Sequence, residues 1–222
     1  MRIVIAGAHG KIAQHLGARL AARGDEVVGL VRNPAHVAAL APLGVAAVVR
    51  DLESAGVDDV AGDLAGADAV VFAAGAGPGS GTERKDTVDR AAAVLLADAA
   101  ERSGVRTYLL VSSMGVDAVR DGATPAGVDA VFVAYLRAKL AAEEDVLARP
   151  GLDVSVLRPG ALTDAESTGR VELARSVARG SVPRADVADV LAALLRRDGA
   201  GEVLELVAGP RPLAEAVAAP AS

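Results

Sequence analysis

Met1-Arg2-Ile3-Val4-Ile5-Ala6-Gly7-Ala8-His9-Gly10-Lys11-Ile12-Ala13 is the stretch whose reading decides the fold. Residues 1–6 form a short apolar run, rich in β-branched side chains and stopped at once by glycine, which is the pattern of a buried strand. Beyond the glycines, Ile12, Leu16 and Leu20 recur at helical spacing. A strand, a glycine turn and a helix in immediate succession place a pyrophosphate on the helix N-terminus, where unpaired N–H groups and the positive end of the helix dipole meet it. Gly7 allows the tight turn. Gly10 lets the backbone approach the phosphates and is expected to need a positive φ. Ala13 is small enough for the helix to lie close to the strand.

Outward from this unit, strands and helices alternate. Strands are expected at 26–31, 45–49, 68–73, 106–111, 153–157 and 202–207, with a short extended piece near 171–173. Helices are expected at 34–43, 58–64, 83–102, 128–147 and 185–196, followed by an Ala-rich helix or tail. A flexible Gly/Pro/Ser loop joins 75 to 81. Alternating βαβα with apolar strands means a doubly wound parallel sheet with helices on both faces, an α/β Rossmann-type sandwich of three layers. The 222 residues suit one domain, 1–222, with a small substrate-side portion built mainly from 114–134 and 158–184.

In such sheets ligands bind beyond the carboxyl ends of the strands, where strand order reverses. That rule selects the residues after each strand: 7–13, Arg32, Asp51, 73–77, Ser112-Ser113 and 158–163. The second strand exits as Leu30-Val31-Arg32-Asn33, without the carboxylate that usually holds the ribose 2′-hydroxyl of NAD. Arg32 instead offers a planar fork for a 2′-phosphate. NADP(H) is therefore preferred, with NAD(H) possible. His9 and Lys11 add donors in the first turn, and Ile12 follows them there. Asp51 accepts from the adenine amino group, and Leu52 packs on the ring.

Tyr135 and Lys139 stand four apart and share one helix face. An ammonium beside a phenol favours the phenolate and lowers its pKa from ~10 toward the working pH. A tyrosine so tuned exchanges a proton with a carbonyl or alcohol oxygen, while the nicotinamide handles hydride. Lys139 also holds the ribose hydroxyls. Ser113, at the end of the fifth strand, donates to the same substrate oxygen.

Composition limits the alternatives. Net charge is −6, so no basic face for nucleic acid is expected. Cysteine is absent, which excludes disulfides and thiolate metal ligands; no metal site is read. No apolar stretch approaches the ~20 residues of a membrane span, and the immediate entry into a strand leaves no room for a signal peptide. A cytoplasmic monomer or homodimer acting on a small molecule is expected.

With these residues in view, the chain resembles the short-chain dehydrogenase/reductase superfamily over almost its whole length. More narrowly, it resembles the atypical NAD(P)-binding members that are epimerase/dehydratase-like or flavin/biliverdin-reductase-like. Gly7-Ala8-His9-Gly10 is similar to the family's Gly-Ala-Thr-Gly turn. Leu30-Val31-Arg32-Asn33-Pro34 is similar to its second-strand exit, and Val111-Ser112-Ser113 to its fifth. Tyr135-x-x-x-Lys139 matches the catalytic pair. Leu157-Arg158-Pro159-Gly160-Ala161-Leu162 resembles the segment closing over the nicotinamide, and Pro183-Arg184-Ala185-Asp186-Val187-Ala188 the start of the next helix. The resemblance implies Ser113, Tyr135 and Lys139 as catalytic residues. It implies Ala73, Ala74, Gly75, Pro159, Gly160, Ala161 and Leu162 along the cofactor. His9 in place of threonine, Ala13 in place of a third glycine and the small Ala73-Ala74-Gly75 exit depart from the pattern. They leave the cofactor reading intact and the substrate open. Three functions are compatible with it. The first is an oxidoreductase acting on a small carbonyl/alcohol, flavin or quinone. The second is an epimerase or dehydratase of a small sugar-like substrate. The third is a non-catalytic NADP(H) redox sensor. The short region after Arg158 leaves no space for a large nucleotide-sugar domain.

Overall fold

A computed structural model describes residues 1–77, 79–197 and 201–221. The strands are β1 Arg2–Ala6, β2 Glu26–Val31, β3 Val45–Val49, β4 Ala69–Phe72, β5 Thr107–Val111, β6 Asp153–Pro159, β7 Ala161–Thr163, β8 Arg170–Ala174, β9 Ser181–Pro183, β10 Glu202–Ala208 and β11 Arg211–Pro212. Nine of them form one sheet in the order β11-β8-β10-β6-β5-β4-β1-β2-β3, and β7 with β9 makes a small separate pair. The run β3-β2-β1-β4-β5-β6-β10 is parallel throughout. At the far edge β8 is antiparallel to β10 and β11 antiparallel to β8, so the expected parallel sheet carries an antiparallel margin. Strand order reverses between β1 and β4, which puts the ligand crevice at their carboxyl ends.

Strand residues alternate between two cores, because successive side chains leave a strand on opposite faces. Ile3, Ile5, Val27, Val31, Val71 and Leu109 pack under the helices Lys11–Ala22 and Arg184–Leu194. Val4, Val28, Leu30, Val70, Phe72 and Leu110 pack under Val57–Asp63, Ala92–Ser103 and Ala130–Leu147. Tyr108 lies in this second core with no exposed surface. Its hydroxyl donates to the Ala93 carbonyl at 2.9 Å, and burial pushes its phenol well above the usual range.

Two expected elements differ. Residues 34–43 fold as a 3₁₀ turn, one α-turn and a second 3₁₀ turn rather than one helix. The expected helix 83–102 is broken near its start, where Thr82–Arg84 passes into a π-helical segment, Lys85–Ala91, before the α-helix Ala92–Ser103. A π segment widens the helix by one residue per turn and is often found at functional sites. Here it turns Lys85, Val88 and Asp89 inward. The loop expected at 75–81 lies there except for Pro78, which falls outside the described residues.

Candidate cofactor groove and active site

Gly7 ends β1 at φ +79°, a backbone only glycine adopts freely. A Cβ on it would stand 2.5 Å from the Ala74 backbone, so the first turn and the β4 exit are in direct contact. Gly10 caps the following helix in an extended conformation, φ −62°. The expectation of a positive φ at Gly10 is thus corrected: that role belongs to Gly7. A Cβ on Gly10 would meet only the Gly7 and Ala73 carbonyl oxygens, at 3.2 and 3.7 Å, so space for an approaching phosphate is what glycine preserves there. The helix it opens has no side-chain cap and no acidic residue in its first turn. Its leading N–H groups therefore lack an intrahelical acceptor and remain available to an anion. The cradle fits a dinucleotide pyrophosphate.

A cavity of about 260 Å³ runs from this turn over the ends of β2 and β3. Gly7, His9, Gly10, Arg32, Asp51, Leu52, Ala73, Ala74 and Gly75 all line it. His36, Arg50, Glu53 and Arg84 line it too, and the sequence reading had not singled them out. Arg32 Nη1 donates to Glu53 Oε2 at 2.9 Å, and Arg84 Nη2 donates to the same oxygen at 2.7 Å. Thr87 donates to the other oxygen. The bond from Arg84, chief among these contacts, holds the Glu53 carboxyl below its ordinary pKa. His9 and His36 stack with ring centroids 3.5 Å apart. Burial and then the neighbouring imidazole lower the His9 pKa.

Three residues expected along the cofactor, Lys11, Ile12 and Ala161, do not line this cavity. Lys11 donates through its Nζ at 2.6 Å to Asp164, which Arg184 also holds. Ile12 packs against the core of the first helix layer. Ala161 leads β7, and its N–H donates to the Gly180 carbonyl at 2.9 Å. Helix periodicity turns Ile12 inward, whereas a distant carboxylate draws Lys11 and strand pairing uses the Ala161 N–H. Only the backbone N–H groups of Lys11 and Ile12 face the anion cradle as helix leaders.

A second cavity, about 320 Å³, shares 73–76 with the first and contains Ser113, Tyr135, Lys139, Pro159, Gly160 and Leu162. The three residues expected to be catalytic thus converge, although they stand on β5's exit and on the helix Ala130–Leu147. Ser113 Oγ donates to the Met114 carbonyl at 3.1 Å. Lys139 is buried, and three acceptors stand within 3.5 Å of its ammonium. It donates to the Val111 carbonyl at 3.0 Å and the Ala74 carbonyl at 3.5 Å, and lies 3.3 Å from Asp89 Oδ1. It sits 5.9 Å from the centre of the Tyr135 ring. The ion pair with Asp89, fully buried on the π segment, fixes Lys139 between the β4 and β5 exits. Asp89 Oδ2 also accepts the Ala76 N–H at 3.2 Å. Lys85 completes the lining, 5.5 Å from the same phenol ring.

Sequence reading missed Lys85 and Asp89 because helical spacing alone does not show that their turn is widened. Arg158, which the strand-exit rule placed in the groove, is a core residue instead. It is clamped by Glu143 at 2.5 Å and Asp117 at 2.6 Å. Asp186, within the quoted helix start, is likewise buried and accepts from Ser167, Thr168 and Gly169. Among the described residues no group of three or more His, Asp or Glu side chains is placed to hold a metal. None of their helices is long and apolar enough to cross a membrane.

Known proteins share this architecture. The Bacillus subtilis protein YhfK, named as an uncharacterized sugar epimerase, is 29% identical over 219 residues, covering 98% of this chain and 99% of that one. A Bacillus halodurans structure, named as a candidate NAD-dependent epimerase/dehydratase, is 34% identical with a TM-score of 0.88, covering 98% and 99%. ChuY of Escherichia coli O157:H7, named as an anaerobilin reductase, is 25% identical with a TM-score of 0.79, covering 94% and 97%. The NAD(P)H-binding family model matches residues 7–198, from the glycine turn through the helix Arg184–Leu194, and the chain belongs to that family.

Proposed function

We propose that the protein is an NADP(H)-dependent oxidoreductase that moves hydride to or from a small carbonyl/alcohol, flavin or quinone. The observation that carries this reading is the convergence of Ser113, Tyr135 and Lys139 in one cavity that shares its floor, 73–76, with the cofactor groove. When bound, the nicotinamide supplies or accepts hydride. Gly7 and Gly10 admit the pyrophosphate, and the uncapped helix end binds it. Tyr135 gives its hydroxyl proton to the substrate oxygen during reduction and takes it back during oxidation. Ser113 donates a second hydrogen bond to that oxygen. Lys139, held by Asp89 and the Val111 carbonyl, orients the ribose and keeps a positive charge near the phenol. The chain acts as one domain whose substrate side is made by 114–134 and 158–184.

NADP(H) is assigned over NAD(H) from Arg32. Its bond to Glu53 is half exposed, and such pairs contribute about 0–1 kcal/mol. A charge-assisted contact to a 2′-phosphate is worth about 1.5–3 kcal/mol, so the phosphate displaces the Glu53 carboxylate from Arg32 or shares Arg32 with it. Arg84, on the same glutamate, gives a second cation. An epimerase or dehydratase reading is second, supported by the names of YhfK and of the Bacillus halodurans protein.

The test is NADPH oxidation by purified protein with flavins, quinones and small aldehydes. Turnover with at least one class is expected. Tight NADPH binding with no acceptor reduced would move the reading to a redox sensor. Gly10→Val should abolish cofactor binding in a folded protein; near-normal affinity would show that the turn binds something else.

A further inference from the structure

We infer that Lys85 selects anionic substrates: the second cavity recognises a carbonyl or alcohol compound that also carries a carboxylate. This rests on the oxidoreductase reading only in the choice of reacting group. The ionisable lining among the described residues consists of Lys85, Asp89, Tyr135 and Lys139. Asp89 is committed to Lys139 at 3.3 Å, and three acceptors surround that ammonium. Lys85 is about as buried, with 9% of its surface exposed, yet one partner alone is found for it among the described residues. Its Nζ donates to the Gly77 carbonyl at 2.9 Å.

An ammonium has three N–H donors, so two of them remain for a ligand. A buried cation without a counter-charge is costly, and a ligand carboxylate would supply the counter-charge that the lining lacks. The walls around it are 73–77, Val111, Pro159, Gly160 and Leu162, small or apolar residues that offer no competing carboxylate. The π segment aims Lys85 inward, 5.5 Å from the Tyr135 ring centre. A carboxylate held there lies about one ring's breadth from the phenol that exchanges the proton. A cavity of about 320 Å³ that the nicotinamide also enters limits the substrate to a small oxo acid, one aromatic ring or a short aliphatic chain.

The experiment is calorimetric titration of the NADP⁺-loaded protein with 4-formylbenzoate and with 4-formylbenzamide, which differ in charge and little in shape. The carboxylate should bind at least tenfold more tightly. Lys85→Met should erase the difference between the two compounds, and Lys85→Arg should retain most of it. Equal affinity for both compounds in the unmutated protein, no binding of either at millimolar concentration, or undiminished discrimination in folded Lys85→Met would overturn the inference. The unmutated comparison needs no variant, so a misfolded Lys85→Met leaves it decisive. Discrimination in binding without NADPH-dependent turnover would keep Lys85 as an anion site and remove the oxidoreductase reading instead.

Discussion

The two cavities meet over the same residues, 73–76, and differ in how their cations are held. Over the β2 and β3 ends, Arg32 and Arg84, 53% and 38% exposed, share the partly exposed carboxylate of Glu53. Water competes there, and opening the pair costs little. Over the β5 end, Lys139 and Asp89 form a pair that is almost wholly buried, with side-chain exposures of 4% and 1%. Breaking one partner there strands a charge in a low-dielectric interior. The first arrangement suits a groove that must open for a charged ligand. The second suits a residue that must never move.

Five substitutions, one of them paired with a compensating change, sharpen or break this contrast. The largest expected effect is at the rigid end. Tyr135→Phe removes one hydroxyl and keeps the ring, so folding and NADPH affinity should hardly change. Turnover of a carbonyl substrate should fall ~10²–10⁴-fold. Flavin reduction, whose proton can come from water, should change little. Undiminished carbonyl turnover would take Tyr135 out of the chemistry.

Next comes Lys139→Met, which leaves Asp89 buried and unpaired. Denaturant unfolding should show a loss of about 3–5 kcal/mol, and adding Asp89→Leu should restore much of it. A loss below about 1 kcal/mol would mean the buried pair is no more demanding than the exposed one.

At the exposed end, Arg32→Ala should weaken NADPH by roughly 10–100-fold, as one charge-assisted phosphate contact implies. NADH should hardly respond. Glu53→Gln should tighten NADPH by removing the competitor. Equal losses for both cofactors after Arg32→Ala would end the 2′-phosphate assignment.

The smallest effect lies outside both cavities, at Asp186. Burial raises its pKa, but bonds from Ser167, Thr168 and Gly169 outweigh that and leave it below the ordinary carboxylate value. A depressed folded pKa contributes stability above the unfolded value and loses it as pH falls through the folded one. Asp186→Asn should therefore lower the melting temperature at neutral pH by roughly 3–6 °C, for about 1.5 kcal/mol. The gap should close in acid. A gap that stays constant down to pH 2 would show that the charge is not what holds residues 167–169.

Local patterning settled much of this molecule. β1, β2 and β3 run over the expected residues, because an apolar β-branched run bounded by glycine or polar residues has few other outcomes. The glycine turn, the strand exits and the order of the alternation were legible for the same reason. They are consequences of periods of two and 3.6 residues that neighbouring positions enforce on their own. The sequence reading placed Ser113, Tyr135 and Lys139 together, and the fold brings them to one cavity.

Other features depended on partners distant in sequence. Lys11 is drawn to Asp164 and Arg158 to Glu143 and Asp117, pairings across 153, 15 and 41 positions. The antiparallel margin of β8 and β11 follows from strand pairing. The π segment is part of the same class, since nothing in the spacing of residues 85–91 distinguishes it from an ordinary turn of helix. Its inward face makes Asp89 the counter-charge of Lys139 and leaves Lys85 with two donors to spare. By itself the sequence determined most of the strands and helices and the glycine turn between the first of them, since local sterics and periodicity decide those. Only the tertiary structure decided which charges are spent on one another and which remain for a ligand, since that depends on Coulomb and desolvation energies between groups the chain brings together only when folded.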